Sequence, residues 1–282
     1  MGHPRIFFFK NLGARRLSGF CALFLGIVQG LTEFLPVSSS GHLVLFQRLF
    51  NLDLGGADVF FDLLLHLGTL LSVCIAMRRD VFALLRAPRK LVYLFIASVP
   101  AAAAGILLGE LADRTFSSGS FLFIGFAATA ALLTAAQISS ARAKAGLPIR
   151  ARHAAVMGVA QAVAIFPGVS RSGATVAAGL LFGADREEAT RFSFLMSIPV
   201  IAGGFVIELY KLVTGGTFAV AAASSQNFGL CIAVSVAAAA LSGLVALNIM
   251  LRCALKARYT PFIIYLCLLA CVCAGLHFYG VL

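Results

Sequence analysis

A chain of 282 residues that is 61% hydrophobic and only 12% charged is not an ordinary soluble domain, since those carry roughly 25% charged residues. Its net charge of +11 does not point to nucleic acid, because Lys and Arg sit in short loops between apolar blocks, the placement that orients membrane proteins and meets anionic headgroups. The blocks lack the period-2 alternation of a membrane barrel, so an all-α polytopic membrane protein is expected, with membrane lipids as surroundings.

In chain order the apolar segments run at 17–35, 58–77, 91–109, 119–139, 154–166, 174–184, 192–213, 228–251 and 260–281. Many approach the roughly 20 residues that cross a bilayer as helix. Lys10, Arg15 and Arg16 precede the first run, which contains no small-residue cleavage site and so reads as retained. Pro36 ends a helix there, and Ser38, Ser39 and Ser40 are good N-caps for the next. Asp62 and His66 are four apart on one face of the following helix, suited to interhelical hydrogen bonds or to tuning a site. Pro167-Gly168 breaks a later helix, and Ser170-Arg171-Ser172-Gly173 opens another. Gly215-Gly216 through Asn227 is the most loop-like polar stretch. The seven cysteines lie almost wholly inside apolar blocks without CxxC spacing, which supports neither zinc nor a disulfide framework.

An internal repeat organises this single membrane domain. Gly26 to Val44 aligns without gaps to Gly158 to Val176, with Gly26, Gln29, Phe34, Val37, Ser38, Ser40, Gly41 and Val44 recurring. "FDLLLHLG" from Phe61 echoes "FSFLMSIP" from Phe192 once a gap is allowed. Repeat one then covers about 17–140 and repeat two about 141–282. Basic loops 78–90, 140–152 and 252–258 are expected in the cytoplasm. Two spans separate the last two loops, so 154–184 must enter and leave on one side. The expectation is an inverted-topology repeat, each half one re-entrant helix hairpin plus three transmembrane helices, with both termini outside. Such repeats bring broken helices together near the membrane midplane, where irregular backbone is tolerated only when buried in protein or lining a cavity.

Each break starts a new helix whose unpaired N–H groups and dipole make an anion site, suited to phosphate oxygens. The differences between the repeats carry the chemistry. Glu33 aligns with Ile165, Ser39 with Arg171, and His42 with Ala174. Gln29 and Glu33 share a helix face, as do Ser39 and His42. A hydroxyl beside a base is the arrangement of nucleophilic catalysis, and intramembrane ionisable groups mark function. Residue chemistry does not rank the three serines as nucleophile, nor His42 against Glu33 as base.

"QGLTEFLPVSSSGH" and "PGVSRSGAT" resemble the two motifs of the undecaprenyl pyrophosphate phosphatase family, the bacitracin-resistance type, and the resemblance extends from about Leu17 through most of the chain. It implies an integral enzyme of the bacterial cytoplasmic membrane, its site opening to the outer face, that hydrolyses undecaprenyl diphosphate to the monophosphate. It implies catalytic roles for Glu33, Ser39, His42 and Arg171, with a divalent cation (Mg²⁺ or Ca²⁺) held with help from Glu33. Gln29, Ser38, Ser40, Gly41, Ser170, Ser172, Gly173 and Thr175 are the expected substrate-binding positions. Gln29 stands where many relatives carry a second glutamate, which leaves Glu33 as the main carboxylate. Lipid phosphatases of the acid-phosphatase type need a histidine after the Ser-Arg pair; Val176 stands five residues beyond Arg171, so that class is excluded. A lipid flippase is the alternative from another class, because inverted repeats with broken helices also build transporters.

Overall fold

A computed structural model of the chain describes residues 17–52, 58–119, 121–142, 146–215, 228–256 and 258–282. The expected basic positions Lys10, Arg15, Arg16 and Lys144, and all of the polar stretch 215–227 but Gly215, which closes a helix, lie outside the described residues. Among the described residues there are eleven helices and no β-strand: α1 (Gly19–Phe34), α2 (Ser39–Leu49), α3 (Asp58–Ala76), α4 (Arg78–Leu85), α5 (Pro88–Ser118), α6 (Leu122–Arg142), α7 (Ala151–Val163), α8 (Arg171–Leu181), α9 (Arg186–Gly215), α10 (Phe228–Leu255) and α11 (Thr260–Phe278).

Five of them, α5, α6, α9, α10 and α11, are long and apolar enough to cross a bilayer, and α3 with α4 makes a sixth candidate bent by 79°. The chain is a multi-pass helical membrane protein. The basic loop after α3 is largely helical, because Arg78 to Leu85 form α4. By contrast α1, α2, α7 and α8 have 16, 11, 13 and 11 residues. At about 1.5 Å per residue none reaches the roughly 30 Å of a hydrocarbon core alone.

Small residues set the packing. Helix α1 presents Gly26 and Gly30 to α10, where an added Cβ would collide with the Ser235 backbone, the Ala239 carbonyl and the Ser242 hydroxyl. Gly68 of α3 meets the Val236 carbonyl of the same helix. Gly158 of α7, the repeat counterpart of Gly26, lies against the Ala97 backbone of α5. Lipid supplies no hydrophobic drive between helices, so close backbone approach and interhelical hydrogen bonds hold them together. The Ser72 hydroxyl donates to the Ala240 carbonyl at 2.7 Å and that of Ser242 to Ile27 at 3.3 Å.

The ends of the short helices are fixed in two different places. Leu17, Leu25, Leu43, Phe61, Leu65 and Cys231 form one apolar cluster, which gathers the beginnings of α1, α3 and α10. Phe24 of α1 stands edge-on to Phe46 and Phe50 at the end of α2. Elsewhere, Leu147 N–H donates to the Gly183 carbonyl at 2.9 Å and Asp185 N–H returns to Leu147 at 2.8 Å, tying the start of α7 to the end of α8. Around that tie, Ile149 N–H meets Glu188, Arg191 pairs with Asp80 of α4 and with Glu187, and Tyr259 N–H meets Gln137. Residues flanking the three basic loops thus meet on one face.

Candidate active site

The two helix breaks repeat one local design. After α1 the chain turns at Pro36, and Ser38 caps α2 by accepting from Gly41 N–H at 3.3 Å. After α7 it turns through Pro167-Gly168, and Ser170 caps α8 by accepting from Gly173 N–H at 3.1 Å. Both corners need left-handed backbone: Gly168 has φ +89° and Ser38 has φ +70°. Glycine adopts that region freely, whereas serine is strained there, by roughly 1–2 kcal/mol. The tips touch, because Gly41 lies against Gly168 and Ser172 Oγ donates to the Leu35 carbonyl at 3.1 Å.

Glu33 is the hub between them. Its carboxylate is buried, with Oε1 ion-paired to the Arg171 guanidinium. Oε2 accepts from Ser39 Oγ at 2.6 Å and from Gln29 Nε2 at 3.1 Å. His66 Nε2 stands 3.4 Å from the same oxygen. Arg171 also donates to the Ser193 carbonyl at 3.4 Å, which turns the fork inward and leaves further N–H groups for a ligand. A serine hydroxyl on a carboxylate, with a guanidinium beside it, can deprotonate the serine and bind the anion it attacks.

Not every expected residue joins this hub. His42 points to α11: Nδ1 meets the Ser38 carbonyl at 2.7 Å, Nε2 meets the Tyr265 hydroxyl at 2.6 Å, and the two rings stack. A carbonyl only accepts, so Nδ1 carries a proton, and in the neutral ring Nε2 accepts from Tyr265. Ser38 and Ser40 lie 3.5 Å apart, and Ser170 and Ser172 3.2 Å apart, at aligned positions. Thr175 is turned into the protein, donating to Arg171 O at 2.8 Å and meeting Ser193 Oγ at 2.6 Å.

Three contributors were not singled out in the sequence. Thr129 of α6 accepts from Ser170 N–H at 2.9 Å and so holds the second break. Tyr265 carries no motif that marks it. Ser193 was within reach: the echo of "FDLLLHLG" in "FSFLMSIP" aligns it with Asp62, and each echo supplies one neighbour of the hub, His66 to Glu33 and Ser193 to Arg171.

A divalent cation has a partial donor set here. Among the described residues no three His, Cys, Asp or Glu side chains converge on a metal position, so a cation held here would draw further ligands from phosphate and water oxygens. Gln29 Oε1, however, is buried without a hydrogen-bond partner among the described residues, on the side chain that touches Glu33. An orphaned amide oxygen beside a carboxylate fits a hard cation that keeps substrate ligands.

Residues 22–272 match the family model described as "BacA: Bacitracin resistance protein BacA". A protein of Carboxydothermus hydrogenoformans named undecaprenyl-diphosphatase is 40% identical over 261 residues, covering 90% of this chain and 95% of that protein. One of Korarchaeum cryptofilum with the same name is 45% identical over 206 residues, 67% of this chain and 76% of its own length. Another, of Thermodesulfovibrio yellowstonii, is 35% identical over 92% of this chain and 98% of that protein. With nearly its whole length matched, the chain belongs to the BacA family.

Proposed function

We propose that the protein hydrolyses undecaprenyl diphosphate to undecaprenyl phosphate and inorganic phosphate where its two helix breaks meet. The observation that carries this reading is the contact of Glu33 and Ser39, from one break, with Arg171, from the other. Ser39 Oγ attacks the terminal phosphorus while Glu33 takes its proton. The bond from that phosphorus to the bridging oxygen breaks, and undecaprenyl phosphate leaves with the proton returned by Glu33. Glu33 then deprotonates a water that attacks the phosphoserine, releasing phosphate, and Ser39 Oγ recovers the proton. Arg171 and the N–H groups opening α2 and α8 hold the charge that develops on phosphate oxygens. His42, held by Tyr265, orients the start of α2 through the Ser38 carbonyl and lies beside the cap that Ser38 forms. Glu33 and Gln29 would hold a divalent cation (Mg²⁺ or Ca²⁺), which when bound neutralises the diphosphate charge that repels a nucleophile.

The substrate's chemistry sets the surroundings: the lipid stays in the bilayer while its headgroup reaches the hub. The reading places the protein in the bacterial cytoplasmic membrane as one domain of two inverted halves. Support comes from the hairpin mouths. That of α1 and α2 lies with Cys231 at the beginning of α10, and that of α7 and α8 is tied at Leu147 and Asp185, beside the basic loop 140–152. Reciprocal packing of α1 on α10 and α7 on α5 agrees. On this reading the site opens to the outer face, opposite the basic loops. A flippase would need neither a serine hydroxyl held on a carboxylate nor a guanidinium facing it.

The direct test is phosphate release from undecaprenyl diphosphate by purified protein in detergent. Stoichiometric phosphate and undecaprenyl phosphate are expected. A folded protein that releases neither, yet moves the lipid between leaflets of vesicles, would reverse the choice.

A further inference from the structure

His66 is the neighbour of Glu33 that the mechanism above does not use. Its Nδ1 lies 2.7 Å from the Asp62 carbonyl one helical turn back, and a carbonyl can only accept. A proton therefore sits on Nδ1, and the ring turns its other nitrogen, Nε2, to Glu33 Oε2 at 3.4 Å. An electropositive centre, a proton or a cation, is what this nitrogen and carboxylate oxygen jointly accept. The Asp62 end is braced in turn, because Gln47 Nε2 donates to Asp62 Oδ1 at 2.7 Å. Nε2 is thus held on Glu33 by backbone geometry and by a neighbouring helix. A second, independent feature faces the same carboxylate: the fully buried Gln29 side chain, which touches Glu33 Oε2 through Nε2 at 3.1 Å and carries the orphaned oxygen.

We propose that His66 Nε2 is a ligand of the divalent cation, completing with Glu33 Oε2 and the Gln29 side-chain oxygen the protein side of its site. Neighbouring ligands of a small octahedral cation lie about 3 Å apart, close to the 3.4 Å between His66 Nε2 and Glu33 Oε2. Oε1 is committed to Arg171, so the cation side of the carboxylate and its anion side are separate oxygens. Arg171 already balances the Glu33 charge, so the cation binds together with the diphosphate rather than before it. A nitrogen donor also changes which cation is favoured. Imidazole suits Mn²⁺ and later transition ions better than Ca²⁺, which prefers oxygen ligands. Ser197 stands at the aligned position in the second repeat and Ile165 opposite Glu33, so the site exists in one half only.

The inference rests on the diphosphatase reading only for the source of the phosphate ligands, and the experiment separates the two. Metal-stripped full-length protein in detergent is given Mn²⁺ and methylenediphosphonate, and nitrogen coupling to the bound Mn²⁺ is read by electron spin echo. The expected result is imidazole-nitrogen coupling in the wild type, lost in His66→Gln and kept in His42→Gln. Mn²⁺ affinity should fall about tenfold or more in His66→Gln while Ca²⁺ affinity changes less than about twofold, the signature of a lost nitrogen ligand. Bound Mn²⁺ without nitrogen coupling in the wild type, coupling that survives His66→Gln, or no Mn²⁺ binding at all overturns the assignment. Phosphate release from undecaprenyl diphosphate by the same metal-loaded protein without the diphosphonate reports on the reaction independently: its absence counts against the diphosphatase reading whatever the spectrum shows.

Discussion

Replacing Glu33 by glutamine tests charge at the hub with almost no change of shape. The amide retains an oxygen near Ser39 but removes the base and leaves the Arg171 guanidinium without its counter-ion. The two side chains are 5% and 15% exposed, so water replaces the lost partner poorly, and breaking such a buried pair costs about 3–5 kcal/mol. Loss of a general base lowers turnover by about 10²–10⁴-fold, or about 3–5 kcal/mol of barrier. Phosphate release and thermal unfolding should both be measured on Glu33→Gln, Arg171→Gln and the double variant. Removing the second charge ends the unpaired burial, so the double variant should be more stable than the sum of the singles by about 2–3 kcal/mol, the size reached by directly coupled residues. Its activity should not return. Near-normal turnover in Glu33→Gln, or stabilities that simply add, would refute the view of Glu33 as both base and anchor.

Other perturbations separate parts of the account. Ser38→Ala loses the cap and keeps the left-handed φ, whereas Ser38→Gly loses the cap but relieves about 1–2 kcal/mol of strain; thermal unfolding should therefore rank alanine below glycine. Gly30→Ala should lower folded yield, because its Cβ meets the Ala239 carbonyl, while Gly105→Ala, with nothing within 4 Å, should not. Excess chelator should abolish phosphate release, and a divalent cation should restore it. Single cysteines at Leu85 and Lys256, in a background without native cysteines, should resist an impermeant thiol reagent in intact cells and react after permeabilisation; rapid labelling from outside contradicts the topology.

What could be read in sequence follows from how locally each feature is determined. Pro36, Pro167-Gly168 and the serines after them mark breaks and caps that need only their own neighbours. Glu33 and Arg171 stand out because charge inside an apolar block needs a partner, and the missing counterpart in each repeat points to the other. Partner choice across helices was not legible. Ser39 and His42 share a helix face, yet the end of α1 brings Glu33 to Ser39, while α11 brings Tyr265 to His42 from 223 positions away. Thr129 and the Gly26–Gly30 seam are likewise small residues in apolar runs, whose roles appear only when the facing backbone is in place. The loop 78–90 reads as a loop from its charge, and its helix α4 is hidden because it is only eight residues long and opens on Arg78, Arg79 and Asp80.

The account turns on Ser39 as the nucleophile, and the stereochemical course of phosphoryl transfer tests that most directly. An undecaprenyl diphosphate whose terminal phosphorus is made chiral with sulfur and oxygen isotopes is hydrolysed by the wild-type protein, and the configuration of the released thiophosphate is determined. Attack by Ser39 followed by attack of water gives two inversions, so net retention is predicted. Net inversion means a single in-line attack by water, and would remove the phosphoserine and the nucleophilic role of Ser39.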